Sequence, residues 1–259
     1  MTGIKFFLRR EFFIIAVMIG SLLAIGPGCS SAGESRSLNP SHRDAIIKVS
    51  ETIKVDRGEI FDGGGALYDW VGAGDCSQTE GMAPMFKLSE NSTLKNLRMR
   101  NAPDGIHIKG SNVTIDNIVN VDVCEDAISI KLDRNKKIPT NIRIYNSKFF
   151  DCEDKAIQIT RGNGLLIKNN EFRRCAKPVR VKELAKEIRF EDNKIYFAKV
   201  AIKVTGGEIW AARNTIDGAK IGFWAEQGGI ITNGGGNNLS DVIHPTKETE
   251  GGQIIVGKN

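Results

Sequence analysis

The feature that most constrains this chain is an internal repeat between residues 94 and 205. Each repeat has a short first strand that runs into an Asn or Asp, then a turn and an apolar pentad. The pentads are GIHIK (105–109), AISIK (127–131), AIQIT (156–160), PVRVK (178–182) and AIKVT (201–205). The first strands end at Asn96, Asn117, Asn146, Asn169 and Asp192, so the steps are 21, 29, 23 and 23 residues, and an insertion at 133–140 explains the long step. A repeat of roughly 20–25 residues with two alternating strands is typical of a solenoid.

Each repeat is too small to bury its own apolar face, so neighbouring repeats must stack. We therefore predict an all-β fold, a single-stranded right-handed parallel β-helix of about eight coils. The predicted domains are an export signal over 1–29, a linker over 30–45, the β-helix over 46–240 and a polar, poorly ordered C-terminal tail over 241–259. The Gly-rich segment 63–81 is expected to form a long loop, and Trp210 and Trp224 are expected to close the end of the stack.

The first 29 residues have the features of an export signal. Lys5, Arg9 and Arg10 precede an apolar run over 12–25, which is short for a membrane span and suited to a cleaved leader. Cys29 follows Gly-Pro-Gly, which resembles a bacterial lipoprotein cleavage site, although Pro27 departs from the small residue usual there. We predict either a secreted monomer or a lipid-anchored extracytoplasmic one, and leave the two open.

Composition narrows the partners and metals that this chain can bind. The net charge of +5, from 36 basic and 31 acidic residues, permits an anionic partner, but no basic tract with interleaved aromatic residues indicates nucleic-acid binding. Cys124, Cys152 and Cys175 occupy similar turn positions, where a disulfide and a stack of buried thiols both fit. The cysteines lack the spacings of zinc sites.

Strand alternation places successive pentad residues on opposite faces. The apolar pairs, such as Ile106 and Ile108, face the core. The residues between them form an outward column of His107, Ser129, Gln158, Arg180 and Lys203. The residues that precede the pentads align into a charged column of Asp104, Asp126, Lys155, Lys177 and Val200. Carboxylates and ammonium groups are therefore predicted on neighbouring strands of one sheet.

Four acidic residues on two adjacent coils, Asp104, Asp122, Glu125 and Asp126, are a candidate cation site. Each of them alone would more often be a solvated turn residue. Clustered carboxylates repel one another unless they are protonated or bridged by a cation, and ligands that are all oxygen favour Ca²⁺. We therefore predict a calcium site here.

Lys155 and Arg180 are the candidate catalytic residues. Lys155 follows Asp154, so one interpretation is a weak surface salt bridge. The other is that Lys177 and Arg180 on the next coil, together with a bound cation, lower the pKa of Lys155 towards that of a usable base. Arg180 lies at the centre of a strand, on a shallow basic face suited to a chain of acidic sugars.

Several motifs resemble the secreted pectate lyases of polysaccharide lyase family 3. They are SQTEGMAPMFKL (77–88), LKNLRMRNAPDGIHIKG (94–110), VTIDNIVNVDVCEDAISIK (113–131), DKAIQI (154–159) and KPVRVK (177–182). The resemblance implies a calcium-dependent β-elimination on polygalacturonate that yields 4,5-unsaturated oligogalacturonates. It implies that Asp104, Glu125 and Asp126 bind calcium with Asp122 nearby, that Lys155 is the general base and Arg180 the essential arginine, and that Glu80, Lys131 and Lys177 line the substrate cleft.

The chain departs from that pattern at two places, and three other functions stay open. Cys124 stands where the family usually has Gly, and the insertion 133–140 lengthens the coil before Lys155. A lyase for another uronan, such as alginate, would share the cation and the base. An inverting hydrolase would need paired carboxylates without a basic residue at the reaction centre. A calcium-stabilised β-helix without enzymatic activity would bind pectate and not cleave it.

Overall fold

The computed structural model describes residues 35–37, 44–74, 76, 81–133 and 135–257, so the predicted export signal and Glu80 lie outside it. The described chain consists of strands joined by turns. The strands are β1 (Ser35–Ser37), β2 (Ile46–Val49), β3 (Ile53–Val55), β4 (Ile60–Asp62), β5 (Leu67–Trp70), β6 (Pro84–Leu88), β7 (Thr93–Ala102), β8 (Asp104–Ile108), β9 (Thr114–Val123), β10 (Asp126–Ile130), β11 (Thr140–Tyr145), β12 (Lys148–Phe150), β13 (Lys155–Ile159), β14 (Asn163–Lys168), β15 (Glu171–Arg173), β16 (Lys177–Lys182), β17 (Lys186–Glu191), β18 (Lys194–Tyr196), β19 (Val200–Thr205), β20 (Glu208–Ala212), β21 (Thr215–Asp217), β22 (Ile221–Glu226), β23 (Ile230–Asn233), β24 (Asn238–Ser240), β25 (His244–Glu248) and β26 (Gln253–Val256). Within these ranges no helix is long and apolar enough to cross a membrane.

The strands stack in parallel into two sheets that wind around one core. A nine-stranded sheet runs β3-β6-β8-β10-β13-β16-β19-β22-β25. A 17-stranded sheet forms the remaining sides, and the long strands β7 and β9 join its two runs. The predicted right-handed parallel β-helix is confirmed, with about nine coils where eight were predicted.

The core consists of the apolar residues that strand alternation places inward. Ile106, Ile128, Ile157, Val179 and Ile202, one from each pentad, are fully buried. On the other side of the core, Phe149 stacks on Phe172, with 5.0 Å between the ring centroids. Burying one such side chain stabilises the fold by about 1.5–3 kcal/mol, so the repeated pattern accounts for the solenoid.

The Asn and Asp residues that end the first strands form the corners of the coil. Asn96, Asn117, Asn146, Asn169 and Asp192 all have positive φ, between 48° and 57°. Asn and Asp tolerate this left-handed conformation better than most residues. The sequence also predicts that the side-chain amides from Asn96 to Asn169 bond to one another from coil to coil; this holds for one step, in which Asn117 Nδ2 donates to Asn96 Oδ1 at 2.8 Å, whereas Asn146 donates to Asp116.

A continuous, largely buried ladder lies one residue further along the chain, where the sequence analysis did not place it. Asn170 Nδ2 lies 3.1 Å from Asn193 Oδ1, Asn193 Nδ2 lies 3.1 Å from Asn214 Oδ1, and Asn214 Nδ2 lies 2.9 Å from Asn237 Oδ1. We call Asn170, Asn193, Asn214 and Asn237 the asparagine ladder.

The β-helix extends beyond the predicted boundaries at both ends. β1 lies in the predicted linker and pairs with β4, and β5 lies in the predicted Gly-rich loop. The predicted polar tail contains β25 and β26, which pair with β22 and β23, so Trp210 and Trp224 do not close the stack. The prediction failed here because an open strand edge can pair with polar segments, whose side chains face solvent: every residue of β25 is exposed.

Candidate active site

Strand register assembles the charged column on the nine-stranded sheet. Asp126 on β10 aligns with Lys155 on β13, and Lys155 aligns with Lys177 on β16. Asp104 begins β8, the strand on the other side of β10. The residue after it must be Gly, because a Cβ at Gly105 would lie 2.3 Å from the Ala127 carbonyl oxygen. Two carboxylates and two ammonium groups therefore occupy consecutive strands.

Asp126 is the most enclosed carboxylate of the site, with none of its surface exposed. Its Oδ2 accepts hydrogen bonds from Ser129 Oγ at 2.7 Å and Gln158 Nε2 at 2.8 Å. Its Oδ1 lies 3.1 Å from Lys155 Nζ but accepts no hydrogen bond of suitable geometry. Burial raises the pKa of Asp126, against the opposing pull of Lys155 and Ser129.

Lys155 is 5% exposed and lies between two carboxylates. It pairs with Asp126 and with Asp154, which also pairs with Lys177. Burial favours the neutral amine, but the two carboxylates outweigh it and raise the pKa of Lys155 above its usual value. Lys177 and Arg180 alone therefore do not lower this pKa, and the lowering predicted with a bound cation stays a prediction.

Asp104 forms a second buried ionic group beside Asp126. It pairs with His107 Nε2, and Lys131 Nζ lies 3.8 Å from its Oδ2. The other oxygen, Oδ1, is buried without a hydrogen-bond partner. A buried carboxylate oxygen without a partner is costly and marks a place where a ligand or ion can bind. Asp104 Oδ1 is such an oxygen, and Asp126 Oδ1, which faces Lys155 Nζ at 3.1 Å, lies on the neighbouring strand; the two oxygens suit a cation that prefers oxygen ligands.

The predicted acidic cluster is only partly assembled. Asp122 is exposed on β9, where burial and then the charges of Glu153 and Asp151 raise its pKa. Glu125 is half-buried on the turn before Asp126. Among the described residues, no group of three or more His, Cys, Asp or Glu residues could hold a metal ion.

Arg180 lies on the same face, between Gln158 and Lys203 in the outward column. Its Nε is buried without a hydrogen-bond partner, and within the described ranges no carboxylate lies within ion-pairing distance. The charge of Arg180 also acts on Glu226. Burial opposes ionisation of this carboxyl, but Lys203, Thr205 and, to a smaller extent, Arg180 lower its pKa below the usual value. A partly buried guanidinium with an unused donor is suited to binding a carboxylate.

The face is deeper than the predicted shallow surface. Of the outward column, His107 and Gln158 are each 9% exposed and Ser129 is fully buried. Sequence analysis placed these residues in register but did not assign them to the network around Asp104 and Asp126. It also left Asp154 out of the site, although its position directly before Lys155 was a usable signal.

Comparison with known protein families identifies the family of this chain. Residues 37–227, about three quarters of the chain, match the pectate lyase family. The chain belongs to the pectate lyase family. Proteins named probable pectate lyase F from Aspergillus flavus and Aspergillus terreus are 37% and 34% identical to it over 113 residues. These alignments cover 42% of this chain and 46% of each relative, so the chain matches about half the length of these curated relatives.

Solved structures with similar folds are more distant. Endopolygalacturonase I from Stereum purpureum, solved with two galacturonate, is 15% identical, with a TM-score of 0.51 over 82% of this chain and 92% of that one. The Streptococcus pneumoniae surface protein and adhesin PfbA is 12% identical, with a TM-score of 0.57 over 79% of this chain and 66% of that one. At these identities the likeness shows the fold alone.

Two disulfides brace this pectate lyase family member beside the charged column. Cys152 is bonded to Cys175, which links the coils that carry Lys155 and Lys177. Cys124, the departure from the family pattern, is bonded to Cys76. The sequence left bonded and free cysteines as alternatives, and the structure shows the bonded state. Cys124 thus ties the segment before β6 to the turn that carries Glu125.

Proposed function

We propose that this protein is a calcium-dependent pectate lyase that cleaves polygalacturonate by β-elimination and releases 4,5-unsaturated oligogalacturonates. The observation that supports this best is Arg180, whose buried Nε lacks a partner one strand away from the buried Lys155. Membership of the pectate lyase family supplies the substrate class.

The reaction needs a base and a way to stabilise negative charge. The proton beside a uronate carboxylate leaves C5, the electron pair forms the double bond between C4 and C5, and the bond from C4 to the glycosidic oxygen breaks. No water is consumed, and the leaving oxygen takes up a proton. The carbanion-like charge that develops next to the carboxylate is the main barrier, so groups that neutralise this carboxylate lower it.

Lys155 is the residue that we assign to proton removal. It is the enclosed amine of the site, and it must lose its proton and its contact with Asp126 or Asp154 before it can act. We assign Arg180 to the substrate carboxylate, since a guanidinium stays protonated and offers two parallel donors. Lys131 and Lys177, both half-buried beside these groups, would bind neighbouring carboxylates, and Glu80 stays a prediction as a further cleft residue.

The calcium site is part of this proposal. Asp104 and Asp126 would hold the ion through the oxygens that lack hydrogen-bond partners, and Glu125 lies on the adjoining turn. Asp122 stays a prediction as a further ligand of this ion. A bound Ca²⁺ would neutralise carboxylate charge next to the reacting carbon. A lipid anchor at Cys29 and export remain predictions, as does the monomeric state.

The test is the ultraviolet absorbance of the unsaturated product during incubation with polygalacturonate, with calcium or with chelator. We expect absorbance to rise with calcium only. We expect Lys155→Ala and Arg180→Ala to lower the rate by about a hundredfold or more. Lys194→Ala and Arg143→Ala, which change exposed residues on the 17-stranded sheet, are the matched controls and should keep the wild-type rate.

Each alternative function gives a different result. New reducing ends without absorbance would indicate a hydrolase, and activity on alginate alone would indicate another uronan lyase. Polygalacturonate binding without cleavage would indicate a non-catalytic glycan-binding protein. Thermal unfolding of every variant must match the wild type, so that loss of rate is not loss of fold.

A further inference from the structure

The outward column continues past Arg180 towards the C-terminus. Arg180 aligns with Lys203 on β19, Lys203 with Trp224 on β22, and Trp224 with Lys247 on β25. This extension lies on the same sheet face as the candidate active site. It includes a strand that the sequence analysis had assigned to the polar tail.

Trp224 holds two ammonium groups at once. Lys203 Nζ lies 3.9 Å and Lys247 Nζ 4.0 Å from the centroid of its ring. The indole Nε1 donates to Thr249 Oγ1 at 3.1 Å, which orients the ring. Because the two lysines come from the strands on either side, the ring attracts both cations and keeps them apart.

The positive charge of this segment is only partly balanced. Glu226 Oε1 lies 2.9 Å from Lys203 Nζ and accepts a hydrogen bond from Thr205 Oγ1 at 3.0 Å. No carboxylate of the described chain is in ion-pairing distance of Lys247. Glu248 beside it accepts a hydrogen bond from the Ile254 amide at 2.5 Å. Arg180 and Lys203 thus both act on one carboxylate, Glu226, and Lys247 pairs with none of the described chain, so the excess positive charge favours an anionic ligand.

The spacing of the cations suits a chain of linked acidic sugars. Stacked strands are about 4.8 Å apart, so Lys247 lies about 14 Å from Arg180 along the helix axis. Each strand spacing is comparable to the length of one sugar ring, and a uronan carries one carboxylate on every ring. We propose that Lys203, Trp224 and Lys247 form a distal subsite that binds the carboxylates of a uronan chain running along the helix axis away from Arg180. This inference rests on the proposed function for the identity of the chain.

Binding of oligogalacturonates of two lengths tests the distal subsite. Calorimetric titrations would use the full chain carrying Lys155→Ala, which prevents turnover, with trigalacturonate and octagalacturonate as ligands. With its first carboxylate at Arg180, the third carboxylate of trigalacturonate lies two strand spacings, or about 10 Å, away, one spacing short of Lys247. We expect Lys247→Gln to weaken octagalacturonate binding by about threefold to tenfold and to leave trigalacturonate binding within about twofold. Lys247→Glu should weaken it further, because it adds repulsion.

Lys194→Gln is the matched control, since it removes one exposed ammonium group from the opposite sheet. Equal effects of Lys194→Gln and Lys247→Gln, or a loss that is the same for both ligand lengths, would overturn the distal subsite. Turnover by the wild type separates the two proposals. If Lys247→Gln weakens octagalacturonate binding alone but the wild type cleaves no polygalacturonate, the distal subsite stands and the lyase proposal fails. If the wild type cleaves polygalacturonate but Lys247→Gln has no length-dependent effect on binding, the lyase proposal stands and the distal subsite fails.

Discussion

The asparagine ladder and the charged column are both stacks of polar side chains on successive coils, yet they differ in how completely their polar groups are used. In the ladder, Asn193 Nδ2 donates to the Ile167 carbonyl at 3.0 Å and lies 3.1 Å from Asn214 Oδ1. Its own oxygen accepts from the Asn170 amide at 2.9 Å. Every described step repeats this pattern, so the ladder needs no other molecule.

The charged column and the outward column beside it leave polar atoms unused. Asp104 Oδ1, Asp126 Oδ1 and Arg180 Nε are buried without hydrogen-bond partners. Folding alone does not favour such atoms, because a buried polar atom without a hydrogen bond has lost its hydration, and only Asp126 Oδ1 has a compensating charge, Lys155 Nζ at 3.1 Å. The solenoid therefore contains two kinds of buried polar stack, one in which the polar atoms have hydrogen-bond partners and one in which some of them do not. The satisfied stack stabilises the fold, and the unsatisfied stack is where we propose that a ligand binds.

The two disulfides link segments next to the charged column. Cys152 and Cys175 each lie two or three residues before the column, and no disulfide of the described chain adjoins the asparagine ladder. The Cys152–Cys175 bond spans 23 residues of sequence, so the double variant Cys152→Ala/Cys175→Ala should lower the free energy of unfolding by about 3 kcal/mol. Urea unfolding without reductant measures this effect. We also expect a severalfold fall in turnover, because the bond holds the coils of Lys155 and Lys177 together.

Unfolding in the presence of reductant is the control for this variant. Reductant breaks the wild-type bond, so most of the difference in the free energy of unfolding between wild type and variant should disappear. A difference below about 1 kcal/mol without reductant would show that packing, and not the bond, holds the two coils.

Asn193→Ala tests the ladder itself. The side chain is 1% exposed, and its removal leaves the Ile167 carbonyl and the Asn170 amide with fewer partners. We expect a loss of about 2 kcal/mol in the free energy of unfolding, with turnover of the folded protein within twofold of wild type. Asn238→Ala, at an exposed strand position, should change stability by less than about 0.5 kcal/mol. A large loss of turnover at unchanged stability would contradict the distinction between the two stacks.

Asp69 sharpens the comparison because it is a buried carboxylate whose partners are all present. Arg100, Lys48 and Asn101 contact it at 2.9, 2.5 and 2.7 Å, and they lower its pKa well below 3.8, with Arg100 as the largest cause. A lowered folded-state pKa stabilises the protein above the unfolded-state pKa, and this is lost as pH falls through the folded-state value. Asp69→Asn should therefore cost about 1 kcal/mol at pH 7, since both cations are partly exposed.

The pH dependence distinguishes this effect from lost packing. The stability difference between wild type and Asp69→Asn should stay constant from pH 7 to about pH 5 and shrink below about pH 4. Chemical unfolding at a series of pH values measures it. A difference that does not change with pH would mean that the charge of Asp69 contributes nothing.

Much of the fold and part of the site could be predicted from the repeat. The alternation of Ile and Val with polar residues defined the buried face, and a constant step between pentads put Asp126, Lys155 and Lys177 in line. Asp122 could not be placed in the same way, because it precedes a turn whose path decides which carboxylates meet. The strand β25 was missed because its residues are polar, although the open edge of β22 was enough to pair it.

The sequence by itself determined the β-helix, the register of its strands and the columns that follow from register, because strand pairing repeats the same geometry on every coil. The tertiary structure alone decided which side chains in those columns are paired. It placed Lys155 between two carboxylates that raise its pKa, and it left Arg180 Nε without a hydrogen-bond partner. Periodicity specifies which residues are neighbours. Burial and the exact distance between charges, which no spacing in the sequence encodes, specify what those neighbours can do.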